Sequence, residues 1–137
     1  MANDLIPFRE DSERVTCTPS TAVIGKRLVS ISGDANADGT YTIAPTGAGG
    51  KAFGVAAWDS PIGGKVTVIV VGSGFTVPIT TGAAVVAGDS LVSDATGQVI
   101  TAAGTAGSVQ HASGIALTGA ASGADAQVLL ARHSVTV

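Results

Sequence analysis

The chain has 137 residues, 45% of them hydrophobic and only 12% charged, with a formal net charge of −3. Mean hydropathy is +0.46, yet no apolar run approaches the roughly 20 residues of a membrane helix. The charge offers no general attraction for nucleic acid, and a single cysteine, Cys17, excludes an internal disulfide.

Residues 1–14 stand apart and read as an extended N-terminal arm. They hold Asp4, Arg9, Glu10, Asp11, Glu13 and Arg14 around an apolar anchor of Leu5, Ile6, Pro7 and Phe8. Pro7 biases Ile6 toward extended geometry. Acidic residues occupy the place of the basic start of a secretion signal, so none is expected.

Residues 15–137 read as one β domain. Valine, threonine and glycine are abundant while glutamate, lysine and leucine are scarce, a strand-forming balance. Strands are expected at 15–18, 26–32, 41–44, 51–58, 65–71 and 75–79. Further strands are expected at 91–93, 98–101, 114–118 and 127–135. The low-complexity stretch 102–112 reads as a loop, and 81–86 admits a helical turn. Many short strands with glycine turns predict a compact barrel or sandwich. The runs 66–71 and 127–131 are apolar on both faces, so they are either central strands or covered by another subunit.

The chain also repeats itself. FGVAAWDSPIGGKVTVIVV (53–71) returns in degraded form as SGIALTGAASGADAQVLLA (113–131) at a constant offset. AVIGKRLVS (22–30) is echoed by AVVAGDSLVS (84–93) with one residue inserted. The pseudo-repeats therefore run over about 22–71 and 84–131.

Candidate sites are sparse. Gly88-Asp89-Ser90-Leu91 matches the nucleophile block of a large esterase family, but the Asp expected three residues before His133 is Leu130. Asp34, Asn36 and Asp38 have the spacing that opens a calcium loop, yet position 12 is Pro45 and the flanks read as strands. They fit an ordinary hairpin tip as well. His111 and His133 lack a second ligand at metal spacing. Cys17 has no neighbour to lower its pKa and reads as a buried thiol. Trp58, beside Asp59 and Pro61 at a turn, suits either an interface anchor or a lid on the core. No catalytic or cofactor-binding constellation is read.

The order of these parts resembles the small decoration, or cement, proteins of tailed-bacteriophage capsids. The resemblance runs from about residue 15 to 132. It rests on Phe-Gly-Val-Ala (53–56), Gly63-Gly-Lys-Val-Thr-Val, the stretch Ala-Gly-Asp-Ser-Leu-Val-Ser-Asp-Ala-Thr-Gly-Gln-Val (87–99), Gly-Ile-Ala-Leu (114–117) and Val-Leu-Leu-Ala-Arg (128–132). It implies a structural virion protein, not an enzyme, made in the host cytoplasm and bound to the capsid exterior. Such a protein clamps adjoining major capsid proteins, commonly as a homotrimer, with no nucleic-acid or membrane partner. Leu5, Ile6, Phe8, Arg9, Arg14 and Trp58 are the interface residues this reading nominates. The alternatives are a fibre, spike or adhesin module that binds a receptor, and the esterase suggested by Ser90.

Overall fold

The computed structural model describes residues 13–137, and every regular element among them is a β-strand. The first five are β1 (Arg14–Pro19), β2 (Leu28–Ile31), β3 (Tyr41–Pro45), β4 (Gly54–Ala56) and β5 (Val66–Val70). They form a closed barrel in the order β1-β3-β2-β4-β5, with β5 returning to pair with β1. Along β1 the exposed Arg14 and Thr16 alternate with the buried Val15 and Cys17, as a strand with one face inward requires. Leu5, Ile6, Phe8 and Arg9 of the expected arm lie outside the described residues.

The second five are β6 (Thr76–Thr80), β7 (Ser90–Ser93), β8 (Val99–Thr101), β9 (Val109–Ala116) and β10 (Asp125–Thr136). Their order is β6-β10-β9-β7-β8. This is the first barrel repeated strand for strand. Only the parallel β1–β3 ladder is lost, reduced in the second copy to the lone Thr81–Val99 bridge.

Register shows how well the copies match. In the first, Gly54, Val55 and Ala56 pair with Val70, Ile69 and Val68. In the second, Gly114, Ile115 and Ala116 pair with Leu130, Leu129 and Val128. The expected insertion in the earlier echo is wrong. Val29 pairs with Gly54 and Leu91 with Gly114, so Val29 matches Leu91 and Leu28 matches Ser90. The shared letters Leu-Val-Ser are out of register by one residue, a slip that exchanges the faces of a strand.

Three local expectations are also corrected. Residues 109–112 are not loop; they extend β9 because β10 continues alongside them to Thr136. Residues 81–86 form no helical turn, since Thr81 bridges to Val99 and Val85 to Ala120. The strand expected over 51–58 shrinks to Gly54–Ala56, the stretch that has β2 on one side and β5 on the other. The doubly apolar runs are central strands: β5 lies between β4 and β1, and β10 between β6 and β9.

Two buried clusters hold the fold. Val15, Cys17, Ile43, Val66 and Val68 fill the barrel. A second cluster joins the halves, packing Leu28 and Val55 of the first copy against Ile79, Leu91, Val128 and Leu130 of the second. Burial of each such side chain contributes about 1.5–3 kcal/mol. Lys26 adds a polar tie: its carbonyl accepts from the Thr80 amide at 2.9 Å and its ammonium meets Asp125 at 2.8 Å. It does so with φ at 63°, at the position where the second copy has Gly88. Gly88 and Lys26 donate their amides to the matching Ala116 and Ala56 carbonyls.

Gly54 and Gly114 are the least replaceable positions. A Cβ on Gly54 would collide with the Ile69 carbonyl and Val68, and one on Gly114 would sit 2.5 Å from the Leu129 carbonyl oxygen. Gly114→Ala is therefore expected to destabilise by about 2 kcal/mol or more in chemical denaturation. Gly47→Ala, where a Cβ meets nothing within 4 Å, should stay within about 0.5 kcal/mol. Equal effects of the two changes would contradict the close-approach argument.

Candidate functional site

The surface carries its apolar side chains on matching loops of the two copies. In the first, loop 22–26 is fastened to loop 57–64 by the Val23–Ser60 bridge and by the Gly25 amide, which donates to Asp59 Oδ1 at 2.8 Å. The loops touch so closely that a Cβ on Gly25 would lie 2.9 Å from Trp58 Cα. Ile24, Trp58 and Ile62 project from this pair, with Trp58 50% and Ile62 69% exposed. The Trp58 indole donates to the Lys65 carbonyl at 3.2 Å, which holds the ring at the surface rather than over the core. In the second copy the Val85–Ala120 bridge joins the equivalent loops, and Val86 and Leu117 are exposed. Exposed apolar clusters on rigid loops are the usual mark of a protein contact.

Arg14 opens β1, and its guanidinium lies 5.7 Å from the centre of the Phe75 ring. That contact ties the barrel to the segment leading into β6. Cys17 is fully buried, as expected.

The 33–40 tip is the largest departure between copies. Eleven residues separate the paired Ile31 and Ile43, against five between Ser93 and Val99. Of the calcium-like motif, the side chains of Asn36 and Asp38 are engaged within the hairpin and with the barrel, while Asp34 takes part through its carbonyl, which accepts from the Thr42 hydroxyl at 2.7 Å. Asn36 Nδ2 donates to the Thr40 carbonyl, and Asp38 Oδ1 accepts from the Thr40 hydroxyl at 2.6 Å and the Thr40 amide at 3.0 Å. Asp38 Oδ2 lies 3.1 Å from Lys65 Nζ, which also donates to Thr18. Among the described residues no group of three or more His, Cys, Asp or Glu side chains converges on a common centre.

Ser90 and His133, the pair that the esterase reading would bring together, do meet. His133 Nε2 is 3.0 Å from Ser90 Oγ, and Nδ1 is 2.8 Å from the Ala131 carbonyl. A carbonyl only accepts, so Nδ1 carries a proton; in the neutral tautomer this leaves Nε2 to accept from the serine hydroxyl. This is the order of donors in a nucleophile–base pair, but a neutral carbonyl stands where a catalytic triad has a carboxylate. Asp89, next in sequence, is occupied elsewhere: it accepts from the Val86 amide and the Thr101 hydroxyl, which hold its pKa down. Ser90→Ala is expected to leave chromogenic ester turnover at the level of the unmodified protein; Ser90-dependent turnover would refute this.

Asp38 yields a pH prediction. The Thr40 hydroxyl, then the Thr40 amide, then Lys65 lower its pKa from 3.8 to about 2. A carboxylate favoured in the folded state contributes stability that is present above pH 3.8 and is lost as pH falls toward 2. Acid melts between those values should show a loss of stability that Asp38→Asn reduces. An unchanged profile would show that the tip does not couple to folding.

These features fall in a setting that comparison with known proteins defines. A family model described as phage cement protein matches residues 9–132. No curated protein matches the chain. The crystal structure of the head fiber gp8.5 N base in bacteriophage phi29 is similar, with a TM-score of 0.68 and 17% identity, covering 90% of this chain and 98% of that one. At that identity the likeness establishes a shared fold. The family match spans nearly the whole of the duplicated β unit, and the chain belongs to the phage cement protein family.

Proposed function

We propose that the chain decorates the outer surface of a phage head and clamps neighbouring major capsid proteins, acting as a homotrimer. Family membership over residues 9–132 carries this reading. The exposed Ile24, Trp58 and Ile62 supply a contact surface consistent with it. A clamp that binds only the assembled shell stabilises the shell by its own binding free energy, repeated at every site. Several contacts per trimer raise the effective concentration of the remaining ones. Synthesis in the host cytoplasm, a capsid partner and the arm at 1–14 as a docking element belong to the same proposal.

A second reading is the base of a head fibre. The likeness to the phi29 head-fibre base, which extends over 98% of that chain, favours it. A receptor-binding module is less well supported. Among the described residues Trp58 is the only exposed aromatic ring, and glycan or receptor contact usually draws on several.

Sedimentation should give a species near three times 13.3 kDa, in solution or on capsids. Trp58→Ser with Ile62→Ser should weaken trimerisation or capsid attachment by about 30-fold while leaving thermal stability little changed. A monomer that ignores undecorated capsids would overturn the proposal.

A further inference from the structure

The positive charge of this acidic chain is unevenly placed. Among the described residues, Lys26 and Lys65 are paired with Asp125 and Asp38, and Arg14 lies on Phe75. Arg27, Lys51 and Arg132 have no carboxylate partner among the described residues. Arg27 borders a separate cavity beside Leu28, whereas Lys51 and Arg132 together line one cavity of about 340 Å³ with His111, Ser113 and His133. No carboxylate lines that cavity.

Three segments build it. Lys51 comes from the loop between β3 and β4, His111 and Ser113 from β9, and Arg132 and His133 from β10. The β9–β10 register jumps from Leu130–Gly114 to His133–Ala112, so β10 carries one extra residue here. Such a bulge bends a strand and re-aims its side chains. It falls at the residues that line the cavity.

The lining is held in place, with donor capacity to spare. Arg132 gives one guanidinium N–H to the Ala52 carbonyl at 2.5 Å, which leaves its other N–H groups available. Both His133 nitrogens are engaged, by Ala131 and Ser90, so the ring is a fixed wall. Ser113 is 4% exposed, and no buried side-chain polar atom among the described residues is left without a partner, so its hydroxyl is a polar wall of the cavity rather than an orphaned group. Asp94 lines an adjoining cavity that shares His111. Its Oδ1 already accepts from the Thr96 and Gln98 amides.

We propose that this cavity is a carboxylate-binding pocket, and that it takes an Asp or Glu side chain on the protein surface to which the chain docks. A planar guanidinium with a neighbouring ammonium suits a carboxylate. The occupant is a protein acid rather than a nucleic-acid phosphate chain because, among the described residues, no other cation lines the pocket beside Lys51 and Arg132, and the net charge is −3. This inference rests on the docking reading above, and its test separates the two.

Isotope-labelled protein is titrated with an acetylated tetraglutamate peptide and, in parallel, with inorganic phosphate. The peptide should shift the amide signals of Lys51, His111–Ser113 and Arg132–Ser134. Lys51→Ala, with Arg132→Gln as a second variant, should weaken that response and attachment to undecorated capsids by about tenfold each. Only the Lys51 carbonyl is bonded, accepting from the Ser30 hydroxyl at 2.8 Å, and its side chain makes no hydrogen bond among the described residues, so its variant keeps the test valid if Arg132→Gln disturbs the fold. No shifts, unchanged affinity in the Lys51 variant, or stronger binding of phosphate than of the peptide would overturn the pocket. Binding of the peptide by a protein that ignores capsids would retain the pocket and remove the docking reading.

Discussion

The whole molecule is organised around two places where one strand passes directly over a glycine of its neighbour. At Gly54 and Gly114 the next strand's carbonyl and a valine occupy the space that any Cβ would need. This approach brings β5 onto β4 and β10 onto β9, and the barrel and the open sheet each grow outward from that contact. It also sets register. Once glycine is fixed opposite Val70 or Leu130, the alternation of side chains decides which residues reach the core. Leu28 and Val55 are then placed to meet Ile79, Leu91 and Leu130, and the two copies share one core.

The copies diverge where they have different work to do. The first keeps the parallel β1–β3 ladder and closes; the second retains one bridge and stays open, with β9 and β10 longer. The slipped match at 28–30 has a consequence for chemistry. Leu28 fills the shared core, whereas its counterpart Ser90 turns to His133. A fold position in one copy has become a polar contact in the other. Lys26 shows the reverse exchange. It accepts a left-handed backbone that suits Gly88 in the second copy, a strain of about 1 kcal/mol, and places its ammonium on Asp125 of the other half.

The proposed contacts lie in the differences rather than in the repeat. The Trp58 side chain, the Asp38 tip and the β10 bulge have no close counterpart in the other copy. All three are held by specific bonds: Trp58 to the Lys65 carbonyl, Asp38 to Lys65 itself, and Arg132 to the Ala52 carbonyl. Contacts that are already ordered lose less entropy on binding a partner.

Much of this was readable from residues alone. Abundant valine and threonine with punctuating glycine determined an all-β chain, and the pairing of Gly54 with Gly114, Val55 with Ile115 and Val68 with Val128 revealed the duplication. Cys17 was recognisable as a buried thiol because nothing near it in sequence could activate it. The tertiary structure decided the rest, for physical reasons. Letter matching aligned Leu28 with Leu91, but pairing partners, not letters, define register, and they align Leu28 with Ser90. Residues 109–112 looked like a loop because they end the low-complexity stretch 102–112; pairing with 133–136 makes them strand. The Ser90–His133 contact and the pocket of Lys51, Ser113 and Arg132 join segments far apart in the chain through a bulge. No local pattern encodes such a meeting, because it exists only once β10 has crossed β9.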